Sequence, residues 1–475
     1  MNSADFHSTD ALAFEDLGRV HFIGLGGAGM SAVARILLAR GVPVSGSDAK
    51  DSKVLEQLRG LGAVVHVGHD PAHLGGADTV VVSTAIRPTN PELQAAAAAG
   101  LAIVHRSVAL AASMGSQELI AVAGTHGKTT TTSMITVMLR HAGLQPSFAI
   151  GGDVAALGVN ADYGSGRYFV AEADESDGSF LNYRPRIAVV TNVEADHLDF
   201  YGTAEAVHRS FDRFAALLPA GGVLVACQDD PGARALAERT AAGPAGPRVV
   251  GYGYDAAAEV RIIPGSFSAT SSTSTLAFPG GEQRLQLQVP GEHNIRNAAA
   301  AFAVGLQAGL TPAEAAAGLA EFTGAARRFE ARGEGRGVRV FDDYAHHPTE
   351  VAAALQAARA VAGNAGVHVL FQPHLFSRTR EFAAEFAGAL SLADSVTVLD
   401  IYAAREDPVP GVTSALITEQ LQVPGGYEPD PAAAVAAVAG RARPGDIILT
   451  VGAGDVTQYG PQIVQALEGA PAGRA

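Results

Sequence analysis

The chain has 475 residues, 48 per cent of them apolar and 17 per cent charged, and a formal charge of −15. At about 150 residues per domain that is room for roughly three globular domains, and the composition excludes a disordered chain. The acidic balance excludes a general nucleic-acid binder, and no run of about 18 apolar residues is free of charge or turn signals, so no membrane insertion is expected.

The polar leader, residues 1–19, lacks the basic and apolar regions of a secretory signal. Residues 19–23 then read as a strand ending at Gly24. A helix is expected over 31–39, a strand at 42–44 and a buried strand at 79–83. Such alternation implies a parallel sheet with helices on its faces. Gly24-Leu25-Gly26-Gly27-Ala28-Gly29 fits G-x-G-x-x-G, and Asp48 lies 19 residues past Gly29. Glycines there let backbone N–H groups approach a diphosphate, and the helix N-terminus favours its charge. An acid at Asp48 is placed to bond a ribose hydroxyl. The bland alternative is a glycine turn that only packs strand on helix. The pattern indicates a nucleotide diphosphate without specifying NAD.

A second unit starts near Glu118, with a strand over 119–123 and a helix over 129–141. Between them runs Gly124-Thr125-His126-Gly127-Lys128-Thr129-Thr130. The standard P-loop has glycine where Val122 stands. What remains is strand, glycine turn, Gly-Lys-Thr and helix, in which backbone N–H groups hold ATP phosphates, Lys128 reaches the β/γ oxygens and Thr129 binds Mg²⁺. The chain has only three lysines, Lys50, Lys53 and Lys128, leaving 30 of its 33 basic residues as arginine. A lysine in this turn is therefore not background.

Further strands are expected over 168–171, 187–191 and 223–226. Two of them lead into acidic clusters, Glu172 to Asp177 and Glu194 to Asp199. Carboxylates at strand ends beside a phosphate loop are where Mg²⁺ ligands belong, though spacing does not say which one serves. Cys227 is the single cysteine, so intrachain disulfides and cysteine-based zinc sites are excluded and a cytoplasmic enzyme is expected. Residues 265–289 combine a Ser/Thr-rich run with alternation at 284–289, which favours an antiparallel hairpin over a linker. Asn294, before a helix expected over 297–308, reads as a helix cap. A short helix follows from Pro312.

The third unit has expected strands at 338–342, 367–371, 396–399 and 447–451. It holds Arg327-Arg328, then Asp343-Tyr344-Ala345-His346-His347-Pro348-Thr349-Glu350, then Gln372 to Arg380. Adjacent histidines are a weak zinc signal without cysteines. Arginines suit bidentate capture of carboxylate or phosphate, or form a solvated face.

Six ordered motifs carry a resemblance: Gly24 to Ser31, Gly124 to Thr130, Glu172 to Asp177, Thr191 to Asp199, His293 to Asn297 and Asp343 to Glu350. Over roughly residues 18–464 the chain resembles the Mur ligase family, in which the missing P-loop glycine is normal. The resemblance implies a three-domain α/β enzyme of peptidoglycan synthesis. Its parts would be a Rossmann-like N-terminal domain over 1–107, a central P-loop-type ATPase sheet with a small antiparallel β part over 108–323, and a Rossmann-like C-terminal domain over 324–475. The implied activity is ATP-dependent ligation of L-alanine to the carboxylate of UDP-N-acetylmuramate through an acyl phosphate, with Mg²⁺, by a monomer or homodimer.

The same resemblance distributes the site residues. Gly26, Gly27, Ala28, Gly29, Met30, Asp48, His69, Ser83 and Arg106 would take the UDP-sugar. Gly124 to Thr130 would hold ATP, with Asn294, Arg327 and Arg328 near it. Thr129, Glu172 and His197 would hold Mg²⁺. Tyr344, His346 and Arg378 would shape the alanine pocket. Lys128, Glu172, His197, His346 and Arg378 would carry the chemistry, His346 accepting or orienting the amine proton. Other branches of the family use a carbamylated lysine well after the P-loop; this chain has no lysine after Lys128, which agrees with the alanine-adding branch. Leu375 stands where some relatives carry arginine, leaving Arg378 less help. Three alternatives remain: a ligase attaching a preformed peptide to the same sugar nucleotide; a nicotinamide-dependent dehydrogenase, which would leave the second loop idle; and a non-catalytic nucleotide-binding sensor, against which intact Lys128, Thr129, Glu172 and His197 argue.

Overall fold

The computed structural model describes residues 12–469 apart from 153, 155, 244, 245, 269 and 405 and the side chain of Asp199. Most of the polar leader and the Asp199 carboxylate of the second acidic cluster therefore lie outside the described residues. The protein forms two compact units. One comprises the chain up to Pro264 with Ser274–Gln286 and Arg296–Phe322; the other comprises Gly265–Thr273, Leu287–Ile295 and the chain from Thr323.

The first sheet of the larger unit is five-stranded and parallel. Its order is Val64–Val67, Val44–Asp48, Val20–Ile23, Thr79–Val82, Ala102–His105. The two central strands are buried throughout, as continuous apolar runs between helical layers must be. The order reverses at Val20–Ile23, so the turn after that strand opens where such sheets form ligand crevices. The helix behind it spans Ala28–Ala39, starting three residues before the expected position because Gly27 already caps it. The next strand begins at Val44, beyond Pro43.

The second sheet has ten strands. From one edge it runs Gly281–Leu287, Ser272–Phe278, Val260–Phe267, Arg248–Gly253, Val223–Cys227, Pro185–Val190, Glu118–Ala123, Tyr168–Glu172, Ser147–Ala149, Ala161–Asp162. Glu118–Ala123 pairs in parallel with both Pro185–Val190 and Tyr168–Glu172. The loops leaving these three strands therefore emerge side by side. The Ser/Thr-rich run contributes to two neighbouring strands, Val260–Phe267 and Ser272–Phe278, and is not a linker: Ser272 and Ser274 are buried alternately, and their hydroxyls donate to the Val289 and Ile263 carbonyls. The helix expected from Asn297 begins at Glu292. Asn294 thus lies inside its first turn and is not the cap; the turn is made at Gly291, φ +100°, and the Asn294 amide donates to the Pro290 carbonyl at 2.7 Å.

In the smaller unit six strands stand in the order Glu330–Gly335, Val338–Asp343, Ile447–Val451, Val367–Phe371, Ser395–Val398, Gly425–Tyr427. Only the first of these pairs antiparallel. One face packs on Val351, Leu355 and Phe386, the other on Val435, Val438 and Ile463, as a doubly wound sheet requires.

Candidate active site

The phosphate loop follows the strand Glu118–Ala123. Gly124 and Gly127 have φ of +133° and +80°, values that admit glycine readily and other residues poorly. A β-carbon on Gly127 would also come within 2.8 Å of Asn297 Oδ1. Gly127 caps the helix Lys128–His141, whose first N–H groups point toward the turn. Thr130 is buried, Thr129 half-buried. Asn192, leaving the neighbouring strand, clasps the turn from both sides. Its Oδ1 accepts from the His126 N–H at 2.7 Å and its Nδ2 donates to the His126 carbonyl at 3.2 Å. The Thr125 hydroxyl accepts from the Glu194 N–H at 3.0 Å.

Lys128 Nζ donates to the Gly124 and Thr125 carbonyls at 2.7 and 3.2 Å and to Glu175 Oε1 at 2.9 Å. Burial would drive this ammonium down; the Glu175, Asp174 and Glu172 charges outweigh it and hold the group above the usual lysine range. Glu175 is buried, and its Oε2 has no hydrogen-bond partner among the described residues. His197 Nε2 lies 3.6 Å from Glu175 Oε1 and 3.6 Å from Asp196 Oδ2. Burial lowers the His197 imidazole, but the Glu175 and Asp196 carboxylates win and raise it. Glu172 Oε2 accepts from the Gly151 N–H at 2.9 Å, and a β-carbon on the adjacent Gly152 would sit 3.5 Å from the Thr129 methyl. One glycine pair thus borders both Thr129 and Glu172. A hydroxyl, carboxylates and an imidazole at three adjoining strand ends, with a buried carboxylate oxygen still lacking a donor, suit a hard divalent cation.

In the first sheet, Asp48 Oδ2 accepts from the Gly26 N–H at 2.9 Å, which fixes the glycine turn. Met30 is buried beneath it, and the Ala28 carbonyl accepts from Asn160 at 3.1 Å. Ser83 is half-buried just past the strand Thr79–Val82. His69 Nδ1 lies 2.9 Å from Ser47 Oγ and 3.3 Å from Glu92 Oε2. Glu92 is fully buried, with His73 Nδ1 at 2.9 Å and His21 Nε2 at 3.6 Å. Burial opposes its ionisation, but the His21, Ser47 and His73 side chains bring its carboxyl down to about 2. Arg106 opens the helix Arg106–Met114 and pairs with Asp174 at 2.7 Å; its neighbour His105 faces Asp177 at 3.4 Å.

In the smaller unit, two guanidinium groups lie over the Tyr344 ring, Arg327 at 4.9 Å and Arg328 at 5.2 Å from its centre. Arg327 is tied to Asp342 at 3.1 Å and to the Gly452 carbonyl at 2.6 Å. His346 meets the Tyr344 ring edge-on and lies 3.2 Å from Glu350. Arg378 is buried, its Nη1 3.5 Å from His374 Nδ1, behind Leu375 in the left-handed region at φ +70°. Tyr344, His346, His374 and the Arg327 partner Gly452 all leave the carboxyl ends of adjacent strands. Burial raises the Asp343 carboxyl to about 6 against the pull of Arg328 and the Ala345 and Phe329 N–H groups.

Glu175, Asn192, Asn297 and Asp174 were not singled out by spacing. Glu175 and Asp174 stand inside a quoted cluster, but only the fold shows which of its carboxylates is buried against the lysine.

A glycine turn holding a half-buried lysine over a helix N-terminus, flanked by carboxylates at strand ends, defines a nucleotide-dependent α/β enzyme. Residues 19–118 match the Mur ligase family catalytic domain, 122–305 the Mur ligase middle domain and 327–454 the Mur ligase glutamate ligase domain. The chain belongs to the Mur ligase family. It is 63% identical to the UDP-N-acetylmuramate–L-alanine ligase of Paenarthrobacter aurescens over 97% of this chain and 100% of that protein. It is 55% identical to the same-named ligase of Thermobifida fusca over 97% and 98%. The crystal structure of UDP-N-acetylmuramate-alanine ligase from Thermotoga maritima superposes with a TM-score of 0.78 at 29% identity, covering 94% of this chain and 98% of that one. A murein peptide ligase from Psychrobacter arcticus gives 0.71 at 25% identity over 96% and 100%.

Proposed function

We propose that the protein joins L-alanine to the carboxylate of UDP-N-acetylmuramate at the expense of ATP, giving UDP-N-acetylmuramoyl-L-alanine, ADP and phosphate for peptidoglycan. The observation that carries this reading is near-full-length identity of 63% to proteins of that name, together with an intact Lys128 loop. We assign the UDP-sugar to the domain of residues 1–107, ATP to 108–323 and the amino acid to 324–475.

A carboxylate is a poor acyl donor because oxide would have to leave. Transfer of the γ-phosphoryl group to it gives an acyl phosphate with a good leaving group. Two anions must meet for that step, so Lys128 and the N–H groups of Gly127 to Thr130 stabilise the charge that develops. Thr129, Glu172 and His197 would hold Mg²⁺, which when bound neutralises phosphate charge. The alanine amine, neutral on attack, then displaces phosphate; His346, held by Glu350, takes or orients its proton. We assign Arg378 and Tyr344 to alanine, and Arg327 and Arg328 to the nucleotide.

Phosphate release with Mg-ATP, UDP-N-acetylmuramate and L-alanine, each omitted in turn, tests the reading. Release that needs all three is expected. Turnover with a preformed peptide and none with alanine would replace it by the peptide-ligase reading. NADH fluorescence enhancement on mixing would favour a dehydrogenase.

A further inference from the structure

Arg106 divides its guanidinium between two loops. Its Nη2 donates to Asp174 Oδ2 at 2.7 Å. Its Nη1 lies where a side chain at Gly29 would stand, 2.5 Å from an ideal β-carbon there. Gly29 is the second residue of the helix that opens from the glycine turn. One nitrogen is thus anchored to the Glu172-to-Asp177 loop and the other is laid over the N-terminus of the first helix. Asp174 is itself fixed, its Oδ1 accepting from the Ser176 N–H at 3.0 Å. The start of the helix that carries Arg106 has two more ties to this region: its cap His105 faces Asp177 at 3.4 Å, and Asn182, five residues past that loop, donates to Ser107 Oγ at 2.8 Å.

An arginine on a long side chain loses much rotamer freedom when it binds an anion, and prior anchoring of one edge removes part of that cost. The bare Cα of Gly29 then has a second reason besides backbone approach: it leaves the space that Nη1 needs.

We propose that Asp174 and the missing side chain of Gly29 act together as positioning elements, aiming Arg106 Nη1 at the diphosphate of the sugar nucleotide. This rests on the reading that the glycine turn takes the UDP-sugar. The carboxylate that does the aiming belongs to the acidic loop beside the ATP lysine, so the metal-side loop sets affinity for a substrate it does not touch.

The test is titration of UDP-N-acetylmuramate into the full-length protein without ATP, for wild type, D174A, G29A and the double variant, with thermal unfolding of each. Loss of one charge-assisted hydrogen bond is expected to raise the sugar-nucleotide Kd about 10-fold to 100-fold in each single variant. G29A displaces the flexible end of Arg106, so it reports even where D174A folds poorly. Both variants misplace the same nitrogen, so the double variant is expected within about threefold of the weaker single, which two unrelated structural lesions would not give. In turnover, KM for the sugar nucleotide rises in each single variant. Single variants within about twofold of wild type, or losses that multiply in the double variant, would overturn the proposal. A wild-type protein that does not bind UDP-N-acetylmuramate would instead overturn the underlying assignment of the glycine turn.

Discussion

Glu175→Gln removes the charge opposite the phosphate-loop lysine without changing its shape. At 2.9 Å and an effective dielectric of about 20, the Lys128–Glu175 attraction is about 6 kcal/mol. Desolvation of two ions, whose side chains are 14 % and 2 % exposed, offsets much of that. Breaking a buried pair by removing one partner costs about 3–5 kcal/mol. Glutamine keeps an acceptor oxygen, and Lys128 keeps the Gly124 and Thr125 carbonyls at 2.7 and 3.2 Å. The loss expected is therefore near the low end, about 3 kcal/mol. The lysine is held above its ordinary range, so the pair's stabilisation is complete below the unfolded lysine pKa and is lost only as pH rises through the folded one. Urea unfolding at pH 7.5 measures the loss. Limited acetylation gives a second readout, because exposed Lys50 and Lys53 are internal references for Lys128. Faster labelling of Lys128 in the variant, at unchanged labelling of the other two, is expected. A destabilisation under about 0.5 kcal/mol with unchanged Lys128 labelling would refute the assignment of Glu175 as its counter-charge.

Lys128→Ala is expected to slow phosphate release about 10³-fold or more, since it removes the cation that meets the transferring phosphoryl group; near-normal turnover would sink the phosphate-loop assignment. Gly127→Ala places a β-carbon at φ +80° and 2.8 Å from Asn297 Oδ1, so ATP affinity should fall by about tenfold or more in equilibrium binding. Asp343, raised from 3.8 to about 6, contributes stability below about pH 4 that is lost as pH rises through 6, about 3 kcal/mol at 1.36 kcal/mol per unit. Asp343→Asn should remove that component, seen as a flatter unfolding free energy between pH 4 and 7 than in wild type.

The strands and turns that carry the phosphate loop were legible because each signal is local: a buried apolar run, glycines at fixed offsets, a helix start. The Ser/Thr-rich strand Ser272–Phe278 was legible only through its alternating neighbour, since its hydroxyls are satisfied by the distant carbonyls of Val289 and Ile263. Asn294 misled as a cap because residues that cap helices also sit in first turns, and Gly291 already makes the bend. The partners of Lys128 and His126 could not be chosen from spacing. Glu175 and Asn192 leave different strands, and which carboxylate is buried depends on the order in which those strands stand.

That order has a consequence for how the protein acquires its site. On one flank of the ten-stranded sheet the strands pair in chain order, with partners such as Ile187 and Val223, Val223 and Arg248, Tyr252 and Val260 separated by 36, 25 and 8 residues. The strand before the phosphate loop instead inserts between others, Leu119 against Phe169 and Ile120 against Ile187, 50 and 67 residues away. Loop closure favours the short pairings early and delays the long ones. The parallel strands of that flank can add one at a time through short connections, whereas Lys128 meets Glu175 only once the strands Glu118–Ala123 and Tyr168–Glu172 have paired across 50 residues.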